Sequence, residues 1–111
     1  MLDLVSGERE ITPELSLLPT PGHTPGHQSI VISSAGERAF ILGDVSHHPA
    51  QLQETEWNAG ADMDGPKAAS TRKAIAERLE ADGSLVAACH YPEPGLGHIV
   101  RAGGKRVFHA L

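Results

Sequence analysis

The chain has 111 residues, 40% of them hydrophobic, with 9 Lys plus Arg against 14 Asp plus Glu and a formal net charge of −5 with histidine neutral. That length suits one domain, residues 1–111, and leaves no room for two, while the apolar share argues against disorder and low complexity. The acidic balance argues against nucleic acid or an anionic membrane as a partner, since both require a basic surface.

No apolar run approaches the roughly 20 residues needed to cross a bilayer, and the N-terminus lacks a basic-then-apolar signal pattern. The single Cys excludes an internal disulfide. A soluble, cytoplasmic protein is expected. Seven His is a high count for this length, and His is the commonest protein metal ligand.

In chain order, Leu15 to Leu18 is a short apolar run stopped by Pro19, which predicts a strand end. The segment Thr20-Pro21-Gly22-His23-Thr24-Pro25-Gly26-His27 follows, and its two Pro-Gly pairs predict a turn-rich loop of fixed geometry. Gln28 to Ile32 and Arg38 to Leu42 predict a hairpin across Ser33-Ser34-Ala35-Gly36. The unbroken apolar run of the second strand predicts cover on both faces.

From Val45 to Gly65 the pattern weakens into polar loop, with Trp57 as its only large apolar anchor. Asp64 stands at an N-cap position before Pro66, and apolar residues at three- and four-residue steps predict a helix over Pro66 to Ala81. Gly83 is its stop. Leu85 to Cys89 predicts another buried strand, then Pro92, Pro94, Gly95 and Gly97 mark a second rigid loop. His98 to Arg101 and Lys105 to Ala110 predict a final hairpin across Ala102-Gly103-Gly104.

His23, Asp44 and His90 each follow an apolar strand, where rigid sheet positions side chains. Two imidazoles and a carboxylate suit zinc or a similar divalent ion. His47 and His48 follow Asp44 closely enough for one of them to face such a centre. His27 reads either as a group orienting Asp44 and its loop or as a His hydrogen-bonded to backbone. Cys89 reads as a buried, inert thiol. Arg72 reads as a structural partner of Asp62 or Asp64, contributing a few tenths of a kcal/mol if exposed.

The segments TPGHTPGHQSIVI, ILGDV and ACHYPEPGLGH, in that order, resemble the metallo-β-lactamase superfamily, which includes glyoxalase II, N-acyl-homoserine lactonases and methyl-parathion-hydrolase-like enzymes. The resemblance implies an α/β (α+β) fold, half of an αββα sandwich with a mixed sheet and one main helix. It implies that His23 binds one metal, Asp44 bridges two, and His90 binds the other. His47 matches the position that contacts substrate in related lactonases, so Asp44 and His47 are the implied catalytic residues. The implied cofactor is Zn2+ or another divalent transition metal, in a binuclear site that holds a hydroxide for attack on a carbonyl or phosphoryl centre.

The family's upstream His-x-His-x-Asp-His signature has no counterpart, because no His precedes His23. The chain therefore reads as the C-terminal portion of such a hydrolase, lacking half of the metal ligands. Its expected partners are a small-molecule ester, lactone or phosphotriester substrate, and either a second copy or a complementing N-terminal half. An inactive fragment that self-associates and binds metal weakly is the alternative. A cupin-like or two-His-one-carboxylate protein is a third reading, disfavoured because QSIVI rather than a nearby Glu follows His27.

Overall fold

A computed structural model of the chain describes residues 3–111. Seven strands form one mixed sheet in sequence order: β1 (Arg9–Thr12), β2 (Leu15–Pro19), β3 (Gln28–Ser34), β4 (Glu37–Ile41), β5 (Leu85–Ala87), β6 (Leu96–Ala102) and β7 (Lys105–Ala110). Every neighbouring pair is antiparallel except β4 and β5, which are parallel. The connection between those two strands carries short 3-10 turns at Gly43–Val45 and Pro49–Leu52 and one long helix, α1 (Gly65–Asp82).

The helix begins and ends as its sequence predicts, one residue longer at each end. The Asp64 carboxylate accepts the Lys67 amide at 3.1 Å, which satisfies one of the free N–H groups of the first turn. Gly83 closes it in the left-handed region at φ 67°, donating its N–H to Leu79 O. Of its apolar stripe, Ile75, Ala76 and Leu79 pack with Phe40, Val86 and Ile99 of the sheet and Leu42, Val45 and Leu52 of the crossover, while Ala68 lies against Gly22. Arg72 lies in the same stripe and is 1% exposed, so the few tenths of a kcal/mol that an exposed pair contributes does not apply to it.

Only one face of the sheet carries this core. Val31 pairs with Phe40 on the helix side, so Ile30, Ile32, Ala39 and Ile41 face the other way. Leu15, Leu17, Leu85 and Leu96 share that second face by register, and Ile41 and Leu96 are 38% and 37% exposed. β4 is therefore covered on one side rather than two. Its continuous apolar run reflects an apolar outer face as well as a core face.

Trp57 is 60% exposed and is not part of the apolar core. The loop is held instead by its carbonyls: Arg72 donates to the oxygens of Val45, Thr55 and Trp57, and Gln51 Nε2 also reaches Trp57 O. Among the described residues no helix is long and apolar enough to cross a membrane.

Candidate metal centre at three strand ends

β2, β4 and β5 run in the same direction, so their carboxyl ends open on one edge of the sheet. Each end delivers a polar residue. The Thr20–His27 loop after β2 supplies His23, the turn after β4 supplies Asp44 and His47, and the turn after β5 supplies His90.

The first loop is fixed by close docking on α1. Pro21 O accepts from Thr71 Oγ1 at 2.7 Å, Gly22 O from Asp64 N at 2.9 Å and His23 O from Met63 N at 3.1 Å. Gly22 has φ 137°, and a Cβ there would collide with the Ala68 backbone, so only glycine allows this approach.

Asp44 is the hub. Its Oδ1 lies 2.7 Å from His90 Nε2 and 3.6 Å from His47 Nε2, and its Oδ2 lies 3.4 Å from His23 Nε2. The His23 and His47 ring centroids are 5.0 Å apart, and those of His47 and His90 are 4.8 Å apart in a near-parallel stack. Burial pushes the Asp44 carboxyl upward, but the His90 hydrogen bond and the charges of His23, His47 and His90 together hold it below its ordinary value. His47 titrates below its ordinary value, chiefly through burial and then repulsion from His90, with Asp44 opposing.

Asp62 holds His23 from behind. Its Oδ1 accepts from His23 Nδ1 at 2.8 Å, while Oδ2 accepts the Ala59 amide at 2.9 Å and Arg72 Nη2 at 3.3 Å. A carboxylate only accepts, so Nδ1 carries the proton and Nε2 is the nitrogen that faces Asp44. Both Asp62 and Arg72 side chains are 1% exposed. Of the two partners the sequence offers for Arg72, the structure selects Asp62, and the result is a buried ion pair aimed at a site histidine.

His27 is hydrogen-bonded to backbone through both ring nitrogens, and one of those bonds falls on Asp44. Its Nε2 accepts the Asp44 backbone N–H at 2.9 Å, and its Nδ1 lies 2.9 Å from Thr20 Oγ1 and 3.1 Å from Thr20 O. Gly43, at φ 63°, lets the ring come this close: a Cβ would stand 2.8 Å from His27 Nε2.

The neighbouring His47 and His48 separate cleanly. Gln51 Oε1 accepts both of their amides, at 2.6 and 3.1 Å. His48 Nδ1 caps the second 3-10 turn by accepting Ala50 N, while the His47 ring turns to Asp44. Ser46 Oγ and Tyr91 OH, 2.7 Å apart, tie the turns after β4 and β5 together. Nothing in the sequence singles out Gln51. The Asp62 role is visible only as a D-x-D before an Arg-bearing helix. Cys89 is exposed rather than buried, because β5 stops at Ala87 and the following turn carries Cys89 outward.

His23, Asp44 and His47 present donor atoms within 4.8 Å of one another, as do Asp44, Cys89 and His90. Among the described residues the buried side-chain polar atom left without a hydrogen-bond partner is His47 Nδ1. Three imidazoles around one carboxylate, one of them incompletely satisfied, form a donor set that fits a divalent transition metal.

Comparison with known proteins gives a consistent picture. The sequence profile of the metallo-beta-lactamase superfamily matches residues 2–90. An N-acyl homoserine lactonase of a Bacillus sp is 36% identical over 62 residues, 55% of this chain and 25% of that protein. The hydrolase AbOPH of the beta lactamase superfamily superposes with a TM-score of 0.84 at 32% identity, over 92% of this chain and 36% of that one. An N-acyl homoserine lactone hydrolase, solved with the product N-hexanoyl-L-homoserine at its catalytic metal centre, gives 0.69 at 27% identity, over 82% and 36%. The chain spans about a quarter of the length of the curated relatives it matches. By the profile match and the shared fold, the chain belongs to the metallo-beta-lactamase superfamily.

Proposed function

We propose that the chain carries the carboxyl-terminal share of the metal centre of a hydrolase for small ester-type electrophiles, with a lactone as the favoured substrate and acyclic esters or phosphotriesters behind it. The observation that carries this reading is the meeting of His23, Asp44, His47 and His90 on one sheet edge. Similarity to N-acyl homoserine lactonases supports the choice of lactone.

In this reading His23, Asp44 and His90 would hold divalent ions, zinc by preference. Bound there, such ions supply Lewis acidity and a water acidic enough to attack at neutral pH. The chain's own residues do the positioning. Asp62 keeps the proton on His23 Nδ1 and frees Nε2 for ligation. His27 holds the Asp44 main chain, and so the carboxylate, in register with both histidines. His47 turns its Nε2 toward Asp44, which would set it beside a substrate held at the centre.

The uncovered apolar sheet face supports two further statements. A complementing segment that bears the His-x-His-x-Asp-His ligands packs there, and without it a second copy does. The second reading, an inactive fragment that self-associates, draws on the same face.

The deciding experiment measures zinc stoichiometry and turnover of an N-acyl homoserine lactone, an aryl ester and a phosphotriester, with the chain alone and with a complementing His-x-His-x-Asp-His polypeptide. The hydrolase reading expects zinc binding that Asp44→Ala abolishes, and lactone turnover once complemented. No zinc and no turnover in either case, with concentration-dependent self-association in gel filtration, establishes the second reading instead.

A further inference from the structure

We infer that Cys89 is a metal donor, joining Asp44 and His90 in a sulfur-containing cation site. The inference rests on reading Asp44 and His90 as ligands, as proposed above. Cys89 and His90 are the two corner residues of a tight turn that is closed by the Tyr91 amide donating to Ala88 O at 3.2 Å. The turn is pinned on both sides. Ala88 and Tyr91 are 2% and 6% exposed, Ala88 N donates to Gly95 O at 2.8 Å, and Tyr91 OH meets Ser46 Oγ. A turn anchored this way holds both corner side chains outward in a fixed relation.

Their common target is the end of β4. The Cys89 thiol lies 3.9 Å from Gly43 O, next to Asp44, and His90 Nε2 reaches Asp44 Oδ1 at 2.7 Å. Donor atoms of Asp44, Cys89 and His90 all fall within 4.8 Å of one another, a spread that one ion can bridge. Packing does not account for the cysteine, because it is exposed. Thiolate, imidazole and carboxylate together form a donor set for a borderline or thiophilic divalent ion. On binding, the thiol gives its proton to solvent and ligates as thiolate. Cys89 thus biases the His90 side of the centre toward softer ions than an imidazole–carboxylate set selects.

Cobalt(II) alone, titrated into the purified chain, tests this, because a thiolate ligand adds an intense near-ultraviolet charge-transfer band that imidazole and carboxylate do not. The expected result is that band in the wild type and its loss in Cys89→Ser, with the visible cobalt bands retained and an unchanged circular dichroism spectrum. Saturating zinc is also expected to slow alkylation of Cys89 by iodoacetamide at least tenfold. Cobalt binding without the charge-transfer band, or alkylation indifferent to zinc, overturns the Cys89 assignment and leaves the proposed hydrolase centre standing. No cobalt bound by the wild type overturns both.

Discussion

Replacing Arg72 with Met is the sharpest test of how the site is supported. The side chain is 1% exposed and donates to three carbonyls, to Asn58 Oδ1 and to Asp62 Oδ2, at 2.7 to 3.3 Å. Met fills similar volume but supplies none of these bonds. It leaves the Asp62 carboxylate 1% exposed without its cation. Burial also pulls the Arg72 guanidinium below its ordinary value, with Asp62 opposing, so the pair is mutually dependent. Removing one member of a buried pair costs about 3–5 kcal/mol. For 111 residues, an unfolding entropy of about 2.1 cal/mol/K per residue makes this a fall in Tm of roughly 13–21 °C. Thermal unfolding followed by circular dichroism at fixed protein concentration reads it. The double variant Arg72→Met/Asp62→Leu should recover part of the loss, with a coupling of about 0.5–3 kcal/mol. A loss below about 1 kcal/mol, the value of an exposed pair, refutes the reasoning.

Three further outcomes follow from the same geometry. Asp62→Asn weakens the acceptor that keeps the proton on His23 Nδ1, so zinc affinity measured by competition with a chelating dye should fall about 10–100-fold; unchanged affinity contradicts the role given to Asp62. Gly43→Ala forces a Cβ against His27 Nε2 at φ 63° and should destabilise by about 1–3 kcal/mol in urea unfolding, with only part of the loss relieved in a His27→Ala background. Burial, opposed by the Ser46 hydrogen bond and Arg72, pushes Tyr91 up from 10.0 to about 12. A raised folded value means that its contribution to stability is complete below pH 10 and disappears as pH climbs toward 12. Tyr91 is the single tyrosine, so phenolate absorbance reports it directly, and a midpoint near 10 in the folded chain contradicts the buried Ser46–Tyr91 contact.

The elements with strong local signals are legible from the residues alone. Asp64, Pro66 and Gly83 bracket α1 because caps are short-range chemistry, and the Gly103-Gly104 hairpin follows from turn preferences. The strand ends bearing His23, Asp44 and His90 are legible because apolar runs stop there. What escapes is set by tertiary partners. The burial of Arg72 and its choice of Asp62 over Asp64 are fixed only when the Val45–Asp62 loop folds over it. The Ala39 and Ile41 side of β4 reads as core because apolar character alone does not say whether a second layer lies against it. Cys89 looks buried by its apolar neighbours, yet a stop two residues earlier turns it to solvent. His47 is singled out in the sequence only by the family resemblance, and the structure separates the two rings by turning His48 Nδ1 to the Ala50 amide and His47 to Asp44.

The β4–β5 seam has a consequence for assembly. All the other strand pairings join neighbours through short connections, whereas this one brings together Ala39 to Ile41 and Leu85 to Ala87 across the whole helical crossover. Asp44 and His90 straddle it, 46 positions apart. Closing a stretch of that length carries an entropic penalty of roughly 3 kcal/mol beyond a constant, before any native contact rewards it. A cation held between the two side chains would clasp the strand pairing of widest sequence separation, and its preference for the closed chain over the open one would add directly to the stability of that junction.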